Sequence, residues 1–282
     1  MKFIVTLAVL SLSLTAFAIP EAPFDAFKEG IPKNASLKLL MTKSYDFEGI
    51  VKLNNCSGSL VHFEGQPKDS KAIVMTNGHC LGRPFLKPNE VALDKPSNRR
   101  MKVAKSDGSF ISIRAERLMY GTMTGTDLAY YRLSETYSEI EARGVRSLLV
   151  ADERPSVGTS IDIVSGYWEV GFRCNVDAFI FELHEAGWIF TDSIRYSNTG
   201  CDTYGGTSGS PLIETGSRVV VGINNTGNED GRKCKMNNPC EVSEEGDISV
   251  IKGASYGQQT YQTYACLTDD FKIDLEKVGC DL

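Results

Sequence analysis

Ser208 lies in a glycine-rich segment whose composition suits a serine nucleophile. Residues 205–211 read Gly-Gly-Thr-Ser-Gly-Ser-Pro. Glycines permit a tight turn that exposes the hydroxyl group, and they leave backbone N–H groups free to converge on a substrate carbonyl oxygen. Such an oxyanion hole stabilises a tetrahedral intermediate. A flexible surface loop has a similar composition, so this segment alone does not identify the chemistry.

A serine hydroxyl becomes a good nucleophile only when a base lies within hydrogen-bond reach. The chain has three histidines, at positions 62, 79 and 184. His79 follows the apolar run 72–76 and precedes Cys80, which can fix its loop. By contrast, His62 lies within a predicted strand and His184 follows another. We therefore identify His79 as the candidate general base.

A carboxylate is needed to hold the imidazole in one tautomer and to stabilise its charged form. Asp127 opens the segment Asp-Leu-Ala-Tyr-Tyr-Arg-Leu and leads directly into a strand that reads as buried. An aspartate in this place is also a common strand cap. Taken with the other two motifs, it predicts acyl transfer with Ser208 as nucleophile, His79 as base and Asp127 as orienting carboxylate.

Short apolar runs separated by turns must position these side chains. The runs cover residues 50–53, 59–63, 72–76, 109–118, 128–133, 160–164, 178–183, 188–192 and 219–223. A less regular, charged stretch at 135–146 connects the two halves. Short strands at even spacing with many glycines indicate an all-β barrel or sandwich. Helical spacing of Phe271, Leu275 and Val278 predicts a short C-terminal helix.

Composition narrows the class of protein. The chain has 282 residues, 41% of them hydrophobic and 23% charged, with a formal net charge of −6. This length allows one large or two small cores. The charge gives no reason to expect a nucleic-acid partner or an anionic membrane partner. Neither a cofactor nor a metal site is expected.

The N-terminal residues resemble an export signal. Lys2 precedes the apolar stretch 3–14, and Ala16-Phe17-Ala18 provides the small-x-small pattern of a cleavage site. We expect residues 1–18 to be a cleaved signal peptide, residues 19–46 to be a leader or propeptide, and the mature protein to be secreted, either extracellular or periplasmic. No membrane anchor is expected, because the apolar run is too short to span a bilayer.

Eight cysteines become interpretable in an exported chain. They are Cys56, Cys80, Cys174, Cys201, Cys234, Cys240, Cys266 and Cys280. An even number favours disulfides over zinc, because clustered Cys and His ligands are lacking. Counting alone leaves about 105 pairings open.

Four motifs in this order resemble the trypsin-like, or chymotrypsin-fold, serine peptidases of the bacterial secreted type. Residues 76–80 (Thr-Asn-Gly-His-Cys) resemble the family's histidine motif, and residues 127–129 (Asp-Leu-Ala) its aspartate motif. Residues 206–211 resemble its serine motif, and residues 56–60 (Cys-Ser-Gly-Ser-Leu) the segment whose cysteine pairs with the one after the histidine. The resemblance extends over roughly Cys56 to Gly227 and fades in the leader and in about the last fifty residues.

The resemblance implies a fold of two six-stranded antiparallel β-barrels packed at an angle, with the triad in the cleft between them. We place the first barrel at residues 47–140 and the second at 141–282. By the same resemblance, the backbone N–H groups of Gly206 and Ser208 form the oxyanion hole, and Cys56 pairs with Cys80. For the remaining cysteines we expect Cys174–Cys201, Cys234–Cys240 and Cys266–Cys280, with Cys201–Cys234 as a competitor.

One departure from the family concerns activation. Many animal members need a freed N-terminal amine that pairs with a carboxylate just before the catalytic serine. Here that position is Thr207, which cannot form an ion pair, and no Ile-Val-Gly-Gly start lies upstream. The hypothesis is therefore an oxyanion hole that forms without this switch.

Specificity is less well determined. Asp202 lies six residues before Ser208, where trypsin-like members carry the carboxylate at the base of the primary pocket. This favours cleavage after Arg or Lys. Similar glutamyl endopeptidases also carry an Asp-Thr pair, followed by a histidine on the next strand. Here Asn224 follows Gly222-Ile223 instead, which weakens glutamate preference and makes Asn224 a candidate substrate-binding residue.

The sequence thus predicts a monomeric serine endopeptidase acting on a protein or peptide substrate. The alternative is a non-catalytic binding protein on a peptidase fold, although such proteins usually lack a triad member. An α/β-hydrolase is excluded because its histidine would follow the serine, and here no histidine does. Residues 228–231 (Asn-Glu-Asp-Gly) offer oxygen ligands but lack the spacing of a calcium loop, and we interpret them as a solvated turn.

Overall fold

The computed structural model describes residues 45–196 and 200–282, and these form an all-β fold. The strands of the first half are β1 (Ile50–Lys52), β2 (Ser57–His62), β3 (Lys71–Thr76), β4 (Val91–Pro96), β5 (Arg100–Ala104), β6 (Phe110–Thr122), β7 (Leu128–Thr136) and β8 (Leu148–Val150). Those of the second half are β9 (Ser160–Ser165), β10 (Val170–Glu185), β11 (Trp188–Tyr196), β12 (Pro211–Glu214), β13 (Val219–Gly227), β14 (Cys240–Val242), β15 (Ile248–Ser249) and β16 (Ser255–Gln258).

Six strands of the first half close into a barrel. They pair antiparallel in the order β1–β5–β6–β7–β3–β2, and β2 pairs again with β1 to complete the circle. Strand β4 lies outside and pairs with β6. Closure leaves no unpaired edge, which stabilises strands as short as β1.

Six strands of the second half close into another barrel. Their antiparallel order is β13–β12–β9–β10–β11–β16, and β16 pairs with β13. Strand β14 pairs with the long β10, and β15 pairs with β14. Two antiparallel barrels of six strands agree with the predicted fold class, which is confirmed.

A short strand and a helix connect the barrels. Strand β8 pairs in parallel with β2 of the first barrel and β13 of the second. Before it lies helix α1 (Tyr137–Glu141), whose N-terminus is closed by a capping box. The Thr136 hydroxyl accepts a hydrogen bond from the N–H of Glu139 (3.2 Å), and the Glu139 carboxylate accepts one from the N–H of Thr136 (2.7 Å). The domain boundary predicted at residues 140–141 falls in this helix and stays a prediction.

Strand β7 packs on both of its faces, which explains why its first four residues, 128–131, are all apolar and buried. Ala129, Tyr131 and Leu133 face the core of the first barrel, whereas Leu128 and Tyr130 face a second core. That second core also contains side chains from β9, β12 and β13, so it joins the two barrels. Because alternate residues of a strand point to opposite faces, a strand buried on both sides needs apolar residues at every position. Asp127 immediately precedes this rigid strand.

The C-terminal segment differs from its prediction in position. The short helix near the C-terminus is α2 (Thr263–Cys266), and residues 271–278 are not helical. Instead the chain folds back, with the N–H of Asp274 donating to the carbonyl of Cys266 (2.9 Å). The apolar spacing was misleading because Val278 is 98% exposed.

No helix among the described residues has the length and apolar character needed to cross a membrane.

Four disulfides link all eight cysteines. The pairs are Cys56–Cys80, Cys174–Cys201, Cys234–Cys240 and Cys266–Cys280. These are the pairs expected from the sequence, and the competing Cys201–Cys234 pair does not form. The predicted signal peptide, and all but the last two residues of the predicted leader, lie outside the described residues.

Candidate active site

A tight turn directly after β3 presents His79. The turn is a single 3-10 turn over His79–Leu81, preceded by Gly78. A Cβ atom at Gly78 would lie only 1.8 Å from the carbonyl oxygen of Thr122, so the turn packs against β6 in a way that only glycine allows. The Cys56–Cys80 disulfide ties the same turn to the segment before β2. His79 is therefore held by sequence neighbours on both sides.

Asp127 contacts His79 through both of its carboxylate oxygens. Oδ2 lies 2.7 Å from the imidazole Nδ1, and Oδ1 accepts a hydrogen bond from the backbone N–H of His79 at 3.0 Å. The Asn77 side chain donates to the Asp127 carbonyl at 2.7 Å. Asp127 is 1% exposed, so this carboxylate is shielded from water. The arrangement fixes the orientation of the ring and favours the tautomer with the proton on Nδ1, leaving Nε2 as the basic nitrogen.

The pKa of His79 is raised above its ordinary value. Burial alone lowers the pKa, because it disfavours the charged imidazolium. The charge of Asp127, its hydrogen bond and the charge of Glu185 act in the opposite direction and prevail. The site thus stabilises an imidazolium, as a base that accepts a proton during a reaction requires.

Ser208 lies in the loop between β11 and β12. The loop turns sharply at Gly206 and Gly209, whose φ angles are 93° and 82°. A side chain at either position would also meet a neighbour, since a Cβ at Gly209 would lie 2.1 Å from the carbonyl oxygen of Ser57. The N–H of Ser57 in turn donates to the carbonyl of Ser208 at 2.8 Å, which connects this loop to β2 of the first barrel.

The fold brings Ser208, His79 and Asp127 to one cavity. The Ser208 hydroxyl donates a hydrogen bond to the carbonyl oxygen of Asn225 on β13, at 3.1 Å. Among the described residues, it forms no hydrogen bond with His79. The side chain is therefore bonded to β13 in this structure, and not to the imidazole.

Side chains from other segments hold the carbonyl groups that precede Ser208. The Trp168 indole N–H donates to the carbonyl of Gly205 at 2.8 Å, and the Ser57 hydroxyl donates to that of Gly206 at 3.3 Å. The Thr207 hydroxyl donates to the carbonyl of Tyr204 at 2.6 Å. In this described loop, the N–H groups of Gly206 and Ser208 have no hydrogen-bond partner. The resemblance assigns these two groups to an oxyanion hole, and that assignment stays a prediction.

Thr207 belongs to a neutral, buried network. Its hydroxyl accepts a hydrogen bond from the Asn224 side-chain N–H at 3.1 Å, and the Asn224 side-chain oxygen Oδ1 accepts one from the hydroxyl of Tyr196. Thr207 and Asn224 are both buried. Asn224 lines the cavity, but its side-chain hydrogen bonds go to the protein, not into the open space. Its predicted role in substrate binding stays a prediction.

The structure does not bring Asp202 into the cavity. Asp202 is exposed and does not line the cavity. In this loop the lining residues begin with the next residue, Thr203. The Cys174–Cys201 disulfide fixes the chain just before it. Position relative to Ser208 was the whole basis of the prediction, and the path of the loop leads this side chain outward.

Glu185 is a cavity residue that the sequence did not reveal. It ends β10, is 7% exposed, and accepts a hydrogen bond from the N–H of Asn237 at 2.6 Å. Burial raises the pKa of its carboxyl group, although hydrogen bonds from Asn237 and Thr226 and the charge of His79 act in the opposite direction. In the sequence, Glu185 precedes Ala186-Gly187 and looks like an ordinary hairpin residue. No local signal distinguishes it from a solvated one.

One group of the described side chains comes close enough to hold a metal ion, namely Cys56, His79 and Cys80. Both sulfurs belong to the disulfide, so no thiolate is available to bind a metal. His79 is moreover held by Asp127. The geometry instead supports proton transfer and nucleophilic attack.

One family model and several solved structures match the chain. The family model described as a trypsin-like peptidase domain matches residues 56–223. No curated protein matches the chain by sequence. Among solved structures, the MamO protease domain of Magnetospirillum magneticum is 15% identical, with a TM-score of 0.49 over 79% of this chain and 98% of that one.

Two further structures have a similar likeness. Nocardiopsis protease is 14% identical, with a TM-score of 0.44 over 76% of this chain and 92% of that one. Thermobifida fusca protease A is 16% identical, with a TM-score of 0.42 over 76% and 91%. Identities this low concern the fold only, and the assignment of a family depends on the family model.

Proposed function

The chain belongs to the trypsin-like peptidase family, and from that premise we propose that it is a serine endopeptidase that uses Ser208, His79 and Asp127. The observation that carries the proposal is the double contact between Asp127 and His79, in a cavity that Ser208 also lines. An oriented imidazole beside a serine in a glycine-rich turn is an arrangement for acyl transfer.

The proposed reaction has two halves. The Ser208 oxygen attacks the carbonyl carbon of the scissile bond while His79 Nε2 accepts the hydroxyl proton. Collapse of the tetrahedral intermediate breaks the C–N bond, and the imidazolium gives its proton to the leaving amine. Water then attacks the acyl-enzyme with His79 again as base, which releases the carboxylate product and restores Ser208. Asp127 stabilises the imidazolium in both halves and is not itself protonated.

Attack requires the Ser208 hydroxyl to leave the Asn225 carbonyl. We propose that a bound substrate causes this rotation, because its carbonyl group occupies the space between the hydroxyl and the two free N–H groups. Catalytic hydrogen bonds are often loose in substrate-free enzymes and tighten only in the complex. Rotation of a small side chain about one bond is fast on the time scale of turnover.

The N–H groups of Gly206 and Ser208 are the proposed oxyanion hole. Losing one such donor costs about 2.7–4 kcal/mol of transition-state stabilisation. No ion pair is needed to form this hole, because Thr207, Asn224 and Tyr196 make a neutral network in its place. This supports the hypothesis that the peptidase does not depend on a freed N-terminal amine.

Secretion is part of the proposal. The four disulfides support an oxidising compartment, either extracellular or periplasmic. Residues 1–18 are the proposed signal peptide and residues 19–46 the proposed leader. We propose a monomer whose substrates are proteins or peptides.

A binding protein without catalytic activity is the second candidate. The hydrogen bond from Ser208 to Asn225 favours it, because that bond holds the hydroxyl away from the imidazole. The two candidates differ in whether the serine is reactive.

A fluorophosphonate probe tests the proposal. The mature protein is expected to form a covalent adduct on Ser208 and to hydrolyse unstructured peptides, and Ser208→Ala and His79→Ala are expected to lose both properties. Ser210→Ala is the matched control, because Ser210 lies in the same loop but is fully buried and should leave labelling intact. An unlabelled wild-type protein with no peptide hydrolysis would establish the binding-protein alternative.

A further inference from the structure

Two recesses of opposite charge meet at His79 and Ser208. The first, which we call the acidic cavity, is also lined by Asp127, Glu185 and Glu229, and no Lys or Arg of the described residues lines it. The second, which we call the arginine groove, is lined by Arg83, Arg99 and Arg100, and within residues 45–196 and 200–282 no Asp or Glu lines it. His79 and Ser208 line both recesses. The candidate reacting groups therefore stand at a boundary between negative and positive surroundings.

Glu185 is the buried acid of the acidic cavity. One of its oxygens accepts the N–H of Asn237, while the charged groups that act on it are His79 and Asp127. Neither neighbour is a permanent cation. A buried carboxylate without such a partner is costly to ionise, and a cation brought into the cavity would remove that cost. The cavity is thus built to gain more from a basic side chain than from a neutral one.

The arginine groove has cations whose charges are not neutralised by carboxylates. The Arg99 guanidinium donates to neutral groups, namely the carbonyl of Cys80 (2.7 Å), the hydroxyl of Tyr131 (3.1 Å) and the side-chain oxygens of two asparagines. Arg83 stacks over Phe85, 5.1 Å from the ring centre. Among the described residues, none of the three arginines forms an ion pair with a carboxylate. An acidic side chain in the groove would meet positive charge without displacing an internal partner.

We propose that this site selects peptides of divided charge, with a basic side chain held by Glu185 in the acidic cavity and an acidic side chain held in the arginine groove, on opposite sides of the scissile bond. This inference rests on the proposed peptidase function. It replaces Asp202 as the carboxylate for a basic residue, because Asp202 is exposed and outside the cavity. Each recess also repels the wrong charge, so a peptide with the reversed order is disfavoured at both sites.

A peptide matrix tests the inference on the wild-type protein. Peptides with one cleavable bond carry Lys or Gln on one side and Glu or Gln on the other, in both orders, and kcat/KM is measured for each. For one order of Lys and Glu across the scissile bond, kcat/KM should exceed that of the double-Gln peptide by about ten- to a hundredfold. The reversed order should be the poorest substrate. Equal rates for all peptides would overturn the inference.

Variants then assign each preference to its recess. Glu185→Gln keeps an acceptor for the N–H of Asn237. It should lower the Lys/Gln ratio, which is kcat/KM for the Lys peptide divided by that for the matching Gln peptide, about tenfold. It should leave the corresponding Glu/Gln ratio unchanged. The double variant Arg83→Gln/Arg100→Gln should lower the Glu/Gln ratio and leave the Lys/Gln ratio unchanged. Asp202→Asn is the control and should leave both ratios unchanged. A Lys/Gln ratio that falls with Asp202→Asn, and not with Glu185→Gln, would overturn the role given to Glu185.

The failure of this inference differs from failure of the proposed function. A protein that reacts with the fluorophosphonate at Ser208 and cleaves all peptides alike is a peptidase without charge selection. A protein that neither reacts nor cleaves is not a peptidase, and both proposals then fail. Should Glu185→Gln not fold, the wild-type matrix still decides, because the absence of a preference for one order contradicts the inference.

Discussion

Trp168 donates its indole N–H to the carbonyl oxygen of Gly205 at 2.8 Å. In a trans peptide the C=O and N–H groups point in opposite directions, so holding this carbonyl also aims the N–H of Gly206. That N–H is one of the two proposed oxyanion donors. Gly206 has a φ of 93°, and a Cβ atom there would lie 2.6 Å from Trp168 Nε1. Close approach of the indole and the absence of a side chain at Gly206 thus depend on each other.

Trp168→Phe should reduce catalysis through the oxyanion hole. The ring remains but the hydrogen bond to Gly205 is lost, so we expect kcat to fall about tenfold with a smaller change in KM. The measurement is steady-state kinetics on a peptide substrate. Tyr264→Phe is the control, because the Tyr264 hydroxyl also donates to a backbone carbonyl, that of Val150 at 2.8 Å, away from the site. Equal effects of the two variants would contradict a positioning role for Trp168.

The pH dependence of activity should follow the raised pKa of His79. The base must be neutral, so kcat/KM is expected to rise with pH and to reach its half-maximal value above the ordinary pKa of histidine. A raised folded-state pKa has the opposite effect on stability. The contribution of His79 to stability is present below its unfolded pKa and is lost as pH rises through the folded pKa.

Asp127→Asn should shift this profile to lower pH. Without the carboxylate charge, burial lowers the pKa of His79, and kcat/KM should fall about ten-thousandfold, as the triad template of this family implies. The measurement is kcat/KM as a function of pH for the wild type and the variant. An unchanged midpoint would show that Asp127 does not control the protonation of His79.

The Cys56–Cys80 disulfide should matter for both stability and activity. It closes a loop with a sequence separation of 24 residues, and Cys266–Cys280 closes one of 14. Replacing either pair by alanine should lower the free energy of unfolding by about 3 kcal/mol, measured by urea denaturation. Only the Cys56–Cys80 replacement should also lower kcat/KM in the folded protein, because Cys80 follows His79. Equal activity of the two folded variants would contradict this.

Glu48 should make a stability contribution that disappears in acid. Its side chain accepts the backbone N–H of Arg146 (2.9 Å) and three bonds from the guanidinium, and it is 4% exposed. Burial raises the pKa of Glu48, but the hydrogen bonds and charges of Arg146 and Arg218 lower it by more. The contribution is therefore present above the unfolded pKa and lost as pH falls through the folded pKa.

Glu48→Gln tests this contribution. The free energy of unfolding should decrease by about 1.5–3 kcal/mol near neutral pH, and the difference should vanish at a pH below the ordinary pKa of glutamate. Glu141→Gln is the control, since its ion pair with Lys68 is exposed and should contribute less than about 1 kcal/mol. A difference that persists in acid would show that Glu48 acts through packing and not through its charge.

Much of the fold followed from local patterns. The all-β class was visible in apolar runs such as 72–76 and 128–133, which match β3 and β7. Strands β4 and β5 were missed because charged residues interrupt them, and they depend on hydrogen bonds to β6. Residues 271–278 were wrongly taken as helical, because periodic spacing predicts a helix only when the apolar side is buried.

The sequence by itself determined the residues whose function depends on local geometry. His79 was recognisable because it follows the apolar run 72–76 and precedes Cys80, and Ser208 because glycines surround it. Family motifs added Asp127 and the pairing of Cys56 with Cys80.

Only the tertiary structure decided which carboxylate enters the cavity. Asp202 and Glu185 are both acidic residues beside a turn or strand end, and nothing local separates them. Glu185 is buried because β10 is covered by the loop that carries Asn237, whereas the chain at Asp202 turns outward. Burial and charge surroundings are properties of distant segments packed together, so they arise only when the barrels have formed.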